Sequence, residues 1–247
     1  MKSYFVLLSL FIGQLQCESL NFKDCGLRTS CMALPDGCTP SETSALVSDT
    51  ACTVISWETG ESGISMTVYG ENTNNPGDWV GVGMSKTGGM ETSDTYICKR
   101  LGEEIKLVSA YSAARGPPIE YPTELNDPSS NPGIAEGTIG TCQSGNSYSC
   151  TFVVNATVTK EGETFNYVEE GFYGNAGNYA FNILMARGTL SDWKTSYHSE
   201  RVPSTEPIEF HPDETPSFIG GNPKLSPMVT THAAMMFFAW ALCAPIG

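Results

Sequence analysis

The residues from Trp79 to Lys99 place a methionine on a rigid mount. Trp79 to Met84 alternates with the period of two expected of a strand, setting Val80, Val82 and Met84 on one face and Gly81 and Gly83 on the other. A face of bare glycines leaves room for a flat group to lie against the backbone, or for a second backbone to approach. Ser85 to Gly89 reads as a turn, because Gly88 and Gly89 are free to take positive φ. Met90 follows at its tip, and Asp94 to Lys99 returns as a second strand. A thioether is a soft ligand for transition metals, and it also fills gaps in apolar cores. Histidine is scarce: His198, His211 and His232 are the only 3. No His-Glu-x-x-His and no Gly-x-Ser-x-Gly occurs. Gly171, Gly174 and Gly177 recur without a strand-turn-helix context, so they make no dinucleotide fingerprint. Glu169 and Glu170 read as solvated surface, and nothing supports hydrolysis.

The same stretch resembles the DOMON domain family. That family's pattern is a Trp/Tyr-Val-x-Val/Ile-Gly strand, a Ser-x-x-Gly-x-Met turn, then a small residue, an Asp and a strand. Trp79, Val80, Val82, Gly83, Ser85, Gly88, Met90, Ser93 and Asp94 carry the resemblance. Haem-binding members use the turn methionine as one axial ligand. They take the other from a histidine after the last long strand, often as Tyr-His followed by a small residue. The resemblance therefore implies Met90 and His198, the latter within Tyr197-His-Ser199, as ligands of a b-type haem. Trp79, Gly81, Gly83 and Tyr197 are the implied surroundings of that haem. His211 lies beyond the expected end of the domain and is the weaker candidate; the plain alternative for His198 is a surface histidine. Met/His ligation raises the potential of haem iron and leaves no open coordination position, which suits electron transfer rather than oxygen activation. The cluster Cys25, Cys31 and Cys38 is similar to the N-terminal segment of the DOMON domain in ferric-chelate-reductase-like proteins. The implied role is an extracellular electron-transfer domain whose redox partner is a ferric chelate or a membrane cytochrome. Ferric-chelate reduction itself would need the full transmembrane core. The competing class is a non-haem module binding a sugar, catechol or protein; a third is a structural ectodomain without a ligand.

The elements that would position these residues read as strands throughout. Cys52 to Trp57, Ile64 to Tyr69, Trp79 to Met84, Asp94 to Lys99, Ile105 to Tyr111, Ser149 to Val158 and Tyr179 to Arg187 are strand-like runs separated by turn residues. Gly188 to Lys194 reads as a turn, and the Pro-, Asn- and Gly-rich Gly116 to Gly140 as a long loop. With no sustained helical period, the expectation is an all-β, antiparallel β-sandwich with immunoglobulin-like layering. The formal charge of -14 argues against nucleic acid and anionic lipid surfaces as partners. Residues 1–17 read as a secretory signal, with Lys2 at its positive end and Tyr4 to Ile12 as its apolar run. Of the 9 cysteines, Cys17 falls in that signal and Cys243 in the apolar tail. Cys25, Cys31, Cys38, Cys52, Cys98, Cys142 and Cys150 remain as disulfide candidates for an oxidising compartment, an odd set that leaves one over. Asn155 in Asn-Ala-Thr157 is a glycosylation candidate.

The expected organisation is a signal over 1–17, a Cys-rich segment over 18–50, the DOMON domain over 51–203, a Pro-rich linker over 204–227 and an apolar, membrane-associated helix over 228–247. The uncharged run from Ala233 to Ile246 is shorter than the ~20 residues of a spanning helix. It resembles the start of a cytochrome b561 transmembrane core, matched in order by His232, Met236, Ala239, Trp240, Pro245 and Gly247. In that family the histidine ligates a transmembrane haem, so His232 would do so only in a full-length form. A lipid-anchor signal is the alternative, with Gly220-Gly-Asn222 as its small residues. Either reading places the domain on the extracellular face of a membrane.

Overall fold

The computed structural model describes residues 25–26, 28–34, 38–40, 46–47, 52–60, 63–71, 77–113, 116–121, 131–168, 180–204, 206–210 and 216–219. Its elements there are all strands. In chain order they are β1 (Ser30–Leu34), β2 (Thr39–Pro40), β3 (Leu46–Val47), β4 (Thr53–Gly60), β5 (Gly63–Glu71) and β6 (Gly77–Ser85). There follow β7 (Ser93–Leu101), β8 (Glu104–Ser112), β9 (Ile119–Glu120), β10 (Gly140–Ser144), β11 (Ser147–Asn155) and β12 (Thr157–Lys160). The last are β13 (Glu163–Asn166), β14 (Ala180–Ser191), β15 (Lys194–Pro203), β16 (Ile208–Glu209) and β17 (Phe218–Ile219).

Two larger sheets share one core. One runs β10-β11-β5-β4-β1-β17; the other runs β15-β14-β6-β7-β8-β9, with β16 also on β14. Period-two alternation decides which face of each strand is buried. In β5, Ile64, Met66 and Val68 are buried while Ser65, Thr67 and Tyr69 are not. In β6, Val80, Val82 and Met84 enter the common core as expected, and meet Met66, Val68, Phe152 and Val154 of the first sheet there. Tyr96 and Phe152 pack with ring centroids 5.1 Å apart. Cys98 on β7 is bonded to Cys150 on β11, 52 residues away, so a covalent cross-link joins the layers. Closing a loop of that length is worth ~4 kcal/mol in the chain-entropy treatment. Cys25–Cys31 and Cys38–Cys52 are the other described pairs; Cys142 is also disulfide-bonded, to a partner outside the described residues. The odd cysteine is therefore not a free thiol.

The fold departs from the sequence expectation at several places. The sheets run beyond 51–203 on both sides, because β1 pairs with β4 and Phe210 is buried in the core. β17 pairs with β1 in parallel, against an otherwise antiparallel architecture. The expected loop after Gly116 contains β9, and its Ile134 is buried against β11 by a bridge to Val154. The expected turn at Gly188 to Lys194 shrinks to Asp192-Trp193, both at positive φ (50° and 62°), the two-residue turn that matches strand twist. β14 therefore runs on to Ser191, and β15 was not foreseen. Asn155 closes β11 and is half-buried. The signal, His211, His232 and the apolar tail lie outside the described residues. No helix among the described residues is long and apolar enough to cross a membrane.

Candidate functional site

Register fixes which side chains share the outer face of the β15-to-β9 sheet, because residues directly opposite in adjacent antiparallel strands lie on one face. Three rows cross it. The first is Arg201, Ala186, Gly81, Ile97 and Val108. The second is Pro203, Leu184, Gly83, Thr95, Ala110 and Glu120. The third is His198, Gly188, Trp79, Lys99 and Lys106. Strict alternation would put His198 and Arg201, three residues apart, on opposite faces. A bulge prevents this: Arg187 pairs with Glu200 and Gly188 with His198, so Ser199 is the extra residue. His198 thus sits on a bulged strand.

The face is concave. β9 and β15 are opposite edges of this sheet, yet Thr195 Oγ1 of β15 donates to Glu120 Oε1 of β9 at 2.9 Å. Lys99 Nζ reinforces the strap, donating to Glu120 Oε2 at 2.5 Å and to the Trp193 carbonyl at 2.8 Å. Beneath it lies a cavity of about 940 Å³, at the upper end of the ~300–1,000 Å³ usual for ligand pockets. Met90 and His198 both line it, with Trp79, Gly81, Gly83 and Tyr197. All six residues singled out around the sequence's candidate ligand pair thus meet at one cavity. Met90 and His198 are each half-exposed. Tyr197 is 81% exposed, its ring 4.1 Å from that of His198.

Each wall has a local cause. Gly81 and Gly83 supply an open floor: a Cβ there would meet nothing nearer than 3.4 Å and 3.5 Å respectively. The occupants expected for that face are a flat group or a second backbone, and no described backbone atom lies nearer than 3.6 Å to a Cβ there. Gly188 is different, since a Cβ would lie 2.7 Å from Trp79 Nε1, so only glycine lets the indole lie across β14. That indole N–H is buried and has no acceptor among the described residues. The Met90 turn is held from within. Thr87 N–H donates to Ser85 Oγ, Gly89 N–H to Thr87 Oγ1, and Ser93 Oγ to the Met90 carbonyl at 3.0 Å. Gly88 takes φ 75°, as its sequence suggested.

Directly after Ser93, Asp94 points inward to a wholly buried polar cluster. Its carboxylate accepts from Lys160 Nζ, from the Tyr96 hydroxyl at 2.9 Å and from the Tyr167 hydroxyl at 2.5 Å. Lys160 also donates to the Ala110 carbonyl at 3.1 Å and lies 4.2 Å from the Tyr96 ring centroid. Burial pushes the Lys160 ammonium below its ordinary value, and the Asp94 carboxylate opposes the shift. Burial, then the neighbouring carboxylate, raises both tyrosines well above theirs. The family pattern marked Asp94, but no sequence signal pointed to Lys160 or Tyr167. Arg201 was also missed, although it lies within three residues of His198. Among the described residues no cluster of three or more His, Cys, Asp or Glu side chains is placed to hold a metal ion.

The turn pattern resembles that of DOMON domains, and over most of its length the chain is similar to ferric-chelate-reductase proteins. No family model matches the chain. The chain is similar to ferric-chelate reductase 1 of Mus musculus, 24% identical over 225 residues, covering 91% of this chain and 32% of that protein. It is similar to the Bos taurus protein of the same name, 23% identical over 231 residues, covering 93% and 34%. The Homo sapiens protein is 20% identical over 225 residues, covering 91% and 32%. The chain thus spans about a third of the length of the curated relatives it matches. Among solved structures it is similar to the cytochrome domain of Myriococcum thermophilum cellobiose dehydrogenase, at TM-score 0.44 and 12% identity, covering 74% of this chain and 82% of that one.

Proposed function

We propose that this chain is a haem-binding electron-transfer ectodomain, in which Met90 and His198 would hold the iron of a b-type haem. The observation that carries the reading is that these two residues, 108 positions apart in sequence (198 minus 90), line one cavity over a glycine floor. A thioether and an imidazole are a donor set suited to iron that cycles between oxidation states. When bound, the haem would supply reversible one-electron exchange. The chain's own residues do the rest. Gly81 and Gly83 admit a flat group, Trp79 and Ile97 wall it with apolar surface, and the Glu120–Thr195 strap closes over one end of the sheet. Tyr197 is an exposed aromatic beside His198, where a redox partner would approach. A ferric chelate or a membrane cytochrome is that partner, in a ferric-reductase-like transmembrane system. The disulfides support an oxidising compartment, on the secretory and extracellular side.

Titration of the purified domain with haemin tests the reading. The expected result is one equivalent bound, with a six-coordinate low-spin spectrum in both oxidation states. A protein that leaves haemin free, or holds it only as a high-spin, five-coordinate species, would remove the reading in favour of a non-haem ligand. The Gly83→Val variant should fold normally, because its Cβ would make ordinary contacts with Leu184 and Thr95 and valine suits a strand. Its branches would fill the floor instead, and haemin affinity should fall by roughly tenfold or more, for ~1.4 kcal/mol of lost contact per decade. Equal loss of thermal stability and affinity would assign Gly83 a packing role.

A further inference from the structure

We propose that Arg201 is the residue that recognises a carboxylate on the cavity's ligand and so fixes which way round the ligand enters. The inference rests on the haem reading above and adds the ligand's anionic edge to it. Among the charged side chains that line the cavity are Glu91 and Arg201, beside the titratable His198. Arg201 stands in the same cross-sheet row as Gly81, so its side chain rises from the glycine floor's own face. The bulge at Ser199 brings His198 to the same face; without that extra residue Arg201 would face the opposite side from His198.

Arg201 is also unemployed. Arg187 is paired with Glu200 at 2.9 Å, and Arg100 donates to the carbonyls of Gly102 and Asn146, each at 3.0 Å. Arg201 makes no hydrogen bond or ion pair among the described residues, in a chain with 27 acidic and 13 basic side chains. An acidic protein offers carboxylates to its arginines readily, so one left without a partner at a cavity wall is available to a ligand's carboxylate. A guanidinium meets a carboxylate with two parallel N–H···O bonds, a geometry a lysine cannot reproduce. The floor between Arg201 and Val108 is apolar, through Ala186, Gly81 and Ile97. The ligand class this selects is therefore flat and apolar with an acidic edge, and the propionate side of a haem has that character.

The test compares haemin with its dimethyl ester, in wild-type protein, Arg201→Gln and Arg201→Lys, reading dissociation constants from the absorption spectrum. Arg201→Gln should bind haemin roughly tenfold more weakly, the scale of one charge-assisted hydrogen-bonded contact at a solvated site, while its spectrum at saturation stays that of wild type. Arg201→Lys should recover part of the loss. The ester should bind wild type and Arg201→Gln alike. Raising the salt should weaken haemin binding to wild type more than to Arg201→Gln. Equal haemin affinity in wild type and Arg201→Gln, or no preference of wild type for haemin over its ester, overturns the proposal and leaves the axial ligands untouched. A wild-type protein that binds neither compound removes the haem reading and this inference with it.

Discussion

The His198→Ala variant is expected to bind haemin on the order of a hundredfold more weakly than wild type and to lose the six-coordinate spectrum, with its fold unchanged. The size follows from removing a metal ligand outright, where even supporting residues beyond the ligands cost ten- to a hundredfold. The fold should survive because His198 is half-exposed on an edge strand and closes no described hydrogen bond through its ring. Substitutions at such positions usually stay within ~0.5 kcal/mol. Met90→Ala should cost less affinity, roughly tenfold, since a thioether is the weaker donor. Its clearer signature should be a lower reduction potential, because methionine ligation favours the reduced iron. Tyr197→Ala is the control: it removes an exposed ring next to His198 and should leave the bound spectrum alone. Wild-type spectra from both ligand variants would show that iron is held elsewhere.

Asp94→Ala should be the most destabilising single change in the described structure, by about 3–5 kcal/mol, the usual cost of orphaning a buried ion-pair partner. Both Asp94 and Lys160 side chains are 0% exposed, so the Lys160 ammonium would have no water to turn to. Two tyrosine hydroxyls would lose their acceptor at the same time. The double variant Asp94→Asn with Lys160→Met keeps an acceptor for the tyrosines and deletes the stranded charge. It should be more stable than Asp94→Ala alone, as non-additivity within one network requires. Urea unfolding measures both. A loss below ~1 kcal/mol for Asp94→Ala would show that water reaches the cluster. Because Ser93 ties its hydroxyl to the Met90 carbonyl one residue before Asp94, haemin affinity should drop along with stability in Asp94→Ala.

The sequence made the strand-turn-strand around Met90 legible because two local signals agree there: the alternation of Val80, Val82 and Met84, and glycines at the turn. It left β15 illegible for an equally local reason. Lys194 to Pro203 is mostly polar and half-exposed at a sheet edge, so no buried face imposes alternation, and the Ser199 bulge breaks the period where one might start. β16 and β17 are two residues each and proline-flanked, which reads as linker until Phe210 is seen in the core. The Met90–His198 pair came from a family pattern rather than from residue chemistry, while Arg201 and the Lys160–Asp94 pair are long-range meetings that only the pairing register creates.

The parallel pairing of β1 with β17 also decides how this domain answers force. Among the described residues the last attachment of the chain is β17, two residues on the outer edge of the sheet that does not carry the cavity. Its hold is slight, a bond from Cys31 N–H to the Ser217 carbonyl and one from Ser217 N–H to Ser30 Oγ among them. β1 itself is stapled by Cys25–Cys31. A pull that peeled β17 would leave β16, the attachment before it among the described residues, paired with β14 in the sheet that carries the cavity.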